Sequence, residues 1–234
     1  MKQTQVPNVL RPVSRRWGQA VILDLDGLMI DSEPLHQRAF EWLLARHGVD
    51  RKFTVEEYGR YFVGIPVKQN AEWLVAHFDL KGAPEDIIAE REQIYEELLD
   101  DPANLIPMPG LFGLLDELSA RGLPLGVASG SPRNQVDVIL RGLKIQPRFR
   151  AVVAGDDVLH TKPAPDVYLR AVEELGVARA RCVAIEDSVT GVTAAKAAGL
   201  YVIAVPNRYT AHQDLSRADA RVASLEQTLP LLIA

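Results

Sequence analysis

One cysteine among 234 residues excludes an internal disulfide, which fits a reducing cytoplasm. Cys182 lies in the apolar run Cys182-Val183-Ala184-Ile185, so it reads as a packed strand residue rather than a reactive thiol. No apolar run approaches the roughly 20 residues needed to cross a bilayer, and the expectation is a soluble chain with no membrane partner. A basic surplus is also missing. The net charge of −5 argues against a general nucleic-acid binder. Internal repeats and low-complexity segments are absent. Oligomeric state leaves no signal, and a monomer is the default.

The charge that is present is uneven. Residues 1–16 carry Lys2, Arg11, Arg15 and Arg16 with no acid. Pro7 and Pro12 interrupt this stretch and it has no apolar targeting core, so it reads as a flexible N-terminal tail. Residues 32–104 hold 15 acids against 8 bases, a surplus that reads as solvated helix faces.

Hydrophobic patterning organises the rest. Short runs that are apolar on both faces occur at 20–24, 125–128, 151–154, 182–186 and 201–205, as buried parallel strands require. Amphipathic helical stretches near 111–121, 132–142, 165–175 and 189–198 separate them. Alternation of this kind implies a doubly wound α/β fold with a parallel sheet. It fails from about 32 to 104, where the pattern is helical throughout and ends in Ile87, Ile88, Arg91, Ile94, Tyr95, Leu98 and Leu99 on one face. The expected organisation is a Rossmann-like core over 17–31 and 105–234, with an inserted α-helical cap domain over 32–104. Trp42, Phe53, Phe62 and Trp73 are expected in the cap's core.

Ligands of open α/β sheets bind beyond the carboxyl ends of the strands. The residues there are Asp24-Leu25-Asp26-Gly27 after the first run and Ser129-Gly130-Ser131 after the second. Thr161-Lys162-Pro163 stands in the loop after the third, and Glu186-Asp187-Ser188 closes the fourth. Four carboxylates, a hydroxyl and an ammonium group therefore share one rim. Paired carboxylates suit Mg²⁺, a hard cation that prefers oxygen ligands. Lysine, serine and backbone N–H groups can neutralise and hold a phosphoryl group, and a carboxylate can attack phosphorus while a second moves protons. Singly, these motifs are ordinary. Asp-x-Asp caps turns, and Ser131 with Pro132 makes a good helix start. Their joint order at four strand ends is not ordinary.

Asp24-Leu25-Asp26-Gly27, Ala128-Ser129-Gly130-Ser131, Lys162-Pro163-Ala164-Pro165-Asp166 and Ile185-Glu186-Asp187-Ser188 with Gly191 resemble the four motifs of the haloacid dehalogenase superfamily. The cap inserted after the first strand resembles the branch of β-phosphoglucomutases and sugar-phosphate phosphatases. The resemblance implies Asp24 as nucleophile, Asp26 as general acid/base, and Ser129 and Lys162 as holders of the phosphoryl group, with Gly130 beside them. It also implies Mg²⁺ on Asp24, the Asp26 carbonyl, Glu186 and Asp187. The substrate would be a small phosphorylated metabolite, a sugar phosphate by default. Dehalogenating members resemble this chain but lack the second aspartate. A phospho-acceptor domain would be about half this length and would lack the cap.

Phosphatase and mutase are separated by the cap. β-Phosphoglucomutases use a cap arginine at a place that falls here on Val67. Lys68 is one position, or about 100° of helix, away, and lysine is a poorer planar clamp. This departure favours a phosphatase. Lys68, Arg133 and His36 are kept as candidate substrate contacts, His36 because it begins the cap, although a helix histidine is more often a surface or core residue. His160 reads as a hydrogen-bonding loop residue.

Overall fold

The computed structural model describes residues 18–65 and 67–232. The tail over 1–16 and the Val67 side chain lie outside what it describes. Six parallel strands form one sheet in the order β3-β2-β1-β4-β5-β6. They are β1 (Ala20–Leu23), β2 (Leu125–Ala128), β3 (Ala151–Val153), β4 (Cys182–Glu186), β5 (Tyr201–Ala204) and β6 (Ala220–Arg221). The central strands bury every residue, which is why they lack an alternating pattern. Cys182 is buried in β4, and burial pushes its thiol up to about 11. β6 is the one strand that the apolar runs did not announce. It is two residues long and half exposed, too short for a period to register.

Strand alternation divides the core. Val21 and Leu23 belong to one cluster with Leu111, Leu114, Leu115 and Leu118 of α5 (Leu111–Ala120) and Val136 and Ile139 of α6 (Arg133–Gly142). Ala20 and Ile22 belong to another with Val167 and Ala171 of α7 (Asp166–Leu175) and Val192 and Ala195 of α8 (Val189–Ala197). Helices thus cover both faces, the doubly wound plan. α6 departs from the expected start. Pro132 is its N-cap residue and Arg133 its first helical residue, so Ser131 does not cap it and its hydroxyl goes elsewhere.

Between β1 and α5 the chain forms α1 (Glu33–Arg46), α2 (Val55–Tyr61), α3 (Val67–Phe78) and α4 (Pro84–Leu99). Pro34 stands in the first turn of α1, where a missing N–H costs nothing. Thr54 and Glu57 form a capping box on α2, Thr54 Oγ1 accepting from Glu57 N at 3.2 Å and Glu57 Oε2 from Thr54 N at 2.9 Å. α4 buries Ile87, Arg91, Ile94, Tyr95, Leu98 and Leu99, matching the apolar stripe. Phe53 and Phe62 are buried and Trp73 packs against the cluster, but Trp42 is 40% exposed and is not a core residue. It lies beneath the Arg38 guanidinium, 5.4 Å from its ring centre.

The two connections to this helical insert run side by side. Asp31 N donates to Ile106 O and Met108 N to Met29 O, each at 2.9 Å, and Ile30 bridges Pro107 in antiparallel fashion. The insert also rests on α6, through Asn134 to Glu96 at 2.7 Å and Gln135 to Glu92 at 2.9 Å.

Leu115 is fully buried between α5 and the sheet. Leu115→Ala is expected to lower unfolding free energy by about 2–5 kcal/mol, read by denaturant titration. A loss below about 1 kcal/mol would mean that this helix face is not packed as described.

Candidate active site

Register builds the site. Leu23 pairs with Val127 on one side and Ile185 on the other, so the next residues, Asp24, Ala128 and Glu186, come level at the carboxyl rim. Asp24 N extends the ladder by donating to Ile185 O at 3.1 Å. The loop after β3 carries Lys162 over this rim. Its Nζ donates to Asp24 Oδ1 at 2.5 Å and to Glu186 Oε1 at 2.6 Å. Oxygens of Asp24, Glu186 and Asp187 all lie within 4.8 Å of one another, and all three residues are buried.

Such crowding has an electrostatic cost. Burial, with Glu186 close by, pushes the Asp24 carboxyl up to about 7 despite Lys162. Burial and the Asp24 charge raise Asp187 well above its ordinary value. Lys162 is moved the other way: the neighbouring Asp24 and Glu186 charges outweigh the burial that would lower it, and its ammonium is held above the usual range.

Glu186 is fully buried and richly bonded. Besides Lys162, its Oε1 accepts from Tyr168 Oη at 2.5 Å, and its Oε2 accepts from Asp187 N at 3.2 Å. A Cβ on Gly191 would lie 1.9 Å from Oε1, so only glycine lets α8 pass this carboxylate. Asp187 Oδ2 accepts from Asn207 Nδ2 at 2.8 Å, and the same amide donates to Gly27 O at 3.1 Å. Asn207 is itself pinned, its Oδ1 accepting from Tyr209 N at 2.7 Å.

Asp26 stands apart from that cluster. Ser131 Oγ donates to its Oδ2 at 2.7 Å, and His36 Nε2 lies 3.9 Å from Oδ1. Burial would raise Asp26, but His36 and the Ser131 hydrogen bond outweigh it and hold the carboxyl below its usual range. His36 stacks on Tyr95 with ring centres 4.0 Å apart, and its Nδ1 meets Arg91 Nη2.

A cavity of about 630 Å³ opens over these groups. Asp24, Asp26, Lys162, Asp187, Gly130 and Ser131 line it from the sheet side; Glu33, Val63, Gly64 and Ile65 line it from the insert. Ser129 is fully buried behind this lining, its Oγ accepting from Ser131 N at 3.0 Å. Two expected contacts do not join the site. Lys68 is exposed and lies 3.9 Å from Glu85, because its helix turns it outward. Arg133 is spent on the β3 loop, its guanidinium meeting Asp157 and donating to Val152 O at 2.8 Å. His160, in an exposed loop, lies 3.2 Å from Asp166 at the start of α7.

The motif reading gave no site role to Ser131, Tyr168, Asn207 or Arg91, the partner of His36. Arg91 did leave a signal, as the one charge on the buried stripe of α4. Ser131 was visible but read as a cap. Asn207 follows β5 in an unremarkable Pro-Asn-Arg, and nothing marked it.

The arrangement matches known proteins. The model of haloacid dehalogenase-like hydrolases matches residues 19–199. This chain belongs to that family. It is 35% identical to protein CbbY of Rhodobacter capsulatus, over 88% of this chain and 93% of the relative. It is 31% identical to a phosphorylated carbohydrates phosphatase of Thermotoga maritima, over 78% and 82%. CbbY from Rhodobacter sphaeroides, solved as a variant with xylulose-(1,5)bisphosphate, superposes with a TM-score of 0.78 at 31% identity, covering 91% of this chain and 98% of that one.

Gly27 has φ +76°, and a Cβ there would come within 2.6 Å of Asp187 Oδ2 and 2.7 Å of Asn207 Nδ2. In this hydrolase Gly27→Ala is therefore expected to lower both melting temperature and turnover. A variant equal to the parent in both would contradict the clasp formed by Gly27, Asp187 and Asn207.

Proposed function

We propose that this hydrolase is a Mg²⁺-dependent phosphatase of small phosphomonoesters, sugar phosphates above all, with Asp24 as its nucleophile. The observation that carries the reading is the buried Asp24–Lys162–Glu186 group facing the cavity, with Asp26 at its edge. The named phosphatase among its relatives supports the same class. Residues 32–104 serve as the cap, and the cytoplasm as its compartment. No helix of the described residues is long and apolar enough to cross a membrane.

The residues fit a divalent cation. Asp24 and Asp187 offer buried carboxylate oxygens, and the upward pressure on both comes from burial first and from crowded negative charge second, which a bound cation would offset. Asp24, Asp187 and the Asp26 carbonyl would hold Mg²⁺. Glu186, already bonded to Lys162 and Tyr168, would bind it only indirectly while holding Lys162. The bound ion would supply positive charge against the phosphoryl oxygens.

The side chains divide the work. Lys162 and the backbone N–H groups around Gly130 hold the phosphoryl group against Asp24. An Asp24 oxygen attacks phosphorus as the bond to the leaving oxygen breaks. The arriving phosphate dianion favours the protonated form of Asp26, which delivers its proton to the leaving oxygen. Asp26 then takes a proton from water. That water attacks phosphorus, the bond to Asp24 breaks, and phosphate and the free carboxylate are regenerated. Ser131 keeps Asp26 oriented for both transfers. A mutase would need a second anion clamp, and the outward Lys68 and committed Arg133 do not support one.

Phosphate release from sugar, polyol and nucleoside monophosphates tests the reading. Release is expected with Mg²⁺ and absent with chelator, while chelator-insensitive turnover would refute the metal role. Asp24→Asn and Asp26→Asn are each expected to cut turnover by about 10³-fold or more while the protein stays folded. Near-parental activity of Asp24→Asn would sink the nucleophile assignment.

A further inference from the structure

A second cavity, about 390 Å³ in volume, continues from the first past Glu33, Gly64 and Ser131 into the insert. On the phosphatase reading, it is where the part of a substrate beyond its phosphate would lie. Its chemistry differs from that of the first cavity. Among the described residues lining the two cavities, the basic side chains are Lys162, Arg91 and His36; the acids are Asp24, Asp26, Asp187, Glu33 and Glu92.

Lys162 belongs to the reacting phosphoryl group, so a second phosphate would have to find Arg91. Two of its three nitrogens are already committed, and the third, Nε, has no partner but is buried away from the cavity's open space. Its Nη1 donates to Glu92 Oε1 at 2.7 Å and its Nη2 meets His36 Nδ1. Its carbon lies 4.8 Å from the Phe40 ring centre and 5.0 Å from that of Tyr95. Glu92 is fixed in turn by Gln135, and Glu33 accepts from Tyr58 Oη at 2.9 Å. The cavity therefore presents carboxylates rather than free cations.

We propose that the group released by this enzyme is uncharged and hydroxyl-rich, and that the distal cavity selects against a second phosphate. The preferred substrates are then monophosphates of sugars or polyols, with the Glu33 carboxylate, which lines both cavities, accepting from their hydroxyls. A second phosphate would meet Glu33 and Glu92 while the nearest guanidinium, Arg91, is buried and paired with Glu92, and like charges at close range oppose binding strongly. This inference rests on the phosphatase reading and narrows it. It also sets the chain apart from the Rhodobacter sphaeroides relative that was solved with a bisphosphate.

The test compares matched pairs: glucose 6-phosphate with glucose 1,6-bisphosphate, fructose 6-phosphate with fructose 1,6-bisphosphate, and xylulose 5-phosphate with xylulose 1,5-bisphosphate. In each pair kcat/KM for the monophosphate is expected to exceed that for the bisphosphate by about tenfold or more. Equal or faster turnover of the bisphosphates would overturn the inference and leave the phosphatase reading standing. No turnover of any phosphomonoester, p-nitrophenyl phosphate included, would overturn both.

Glu92→Gln, which removes a charge and keeps the shape, is expected to narrow the preference several-fold by raising the bisphosphate rate relative to the monophosphate. A change that lowers both rates alike would assign Glu92 to structure only and count against the inference. Glu33→Gln is read in the same way should Glu92→Gln fail to fold. Calorimetry with Asp24→Asn protein, Mg²⁺ and the glucose pair gives a readout free of turnover. Tighter binding of the monophosphate is expected, and tighter binding of the bisphosphate would overturn the proposal.

Discussion

The structure turns on one ammonium group. Lys162 Nζ bridges Asp24 and Glu186 at 2.5 and 2.6 Å, with its side chain only 9% exposed. Parallel register forces those two carboxylates to the same rim of adjacent strands, where burial and mutual repulsion oppose their ionisation. Without a cation from the β3 loop, the sheet would end in uncompensated buried charge, and breaking such a pair generally costs about 3–5 kcal/mol. Much of the surrounding structure serves that contact. Tyr168 supports Glu186 from α7, Gly191 clears space for it on α8, and Asn207 holds Asp187 to the turn at Gly27.

A second set of contacts faces this one from the insert. His36, Arg91, Glu92 and Tyr95 form a polar and aromatic group, with Arg91 and Tyr95 buried, that reaches the rim at Asp26. The two halves meet at Ser131, whose hydroxyl goes to Asp26 rather than to a helix terminus. In the proposed reaction the chemistry would lie on one side of the cleft and recognition of the released group on the other. The paired connections at Met29–Asp31 and Ile106–Met108 set how the two sides are presented to each other.

Much of this was legible in the residues. Five strands in apolar runs, four of them fully buried, and helices with clear apolar stripes carry strong signals, and strand-end motifs inherit their positions from the sheet. What escaped had no period or no local cause. β6 is too short to alternate. Ser131 satisfied a cap rule, yet the tertiary partner Asp26, 105 residues away in sequence, won its hydroxyl. Asn207 acts only because β5 runs beside β4, a pairing that no neighbouring residue encodes. Trp42 was placed inside on hydrophobicity alone, whereas its ring lies at the surface under Arg38. Lys68 and Arg133 were plausible by charge, and local ion pairs with Glu85 and Asp157 claimed them instead.

The central claim is that the phosphoryl group passes through the Asp24 carboxylate. The most direct measurement is to quench the enzyme in acid during turnover of a sugar monophosphate, reduce it with borohydride, and map the peptides by mass spectrometry. An acyl phosphate is reduced to the alcohol, so an aspartyl phosphate becomes homoserine. The account predicts homoserine at position 24 and unaltered aspartate at positions 26 and 187. Homoserine at position 26, or at no position while phosphate is being released, would contradict it.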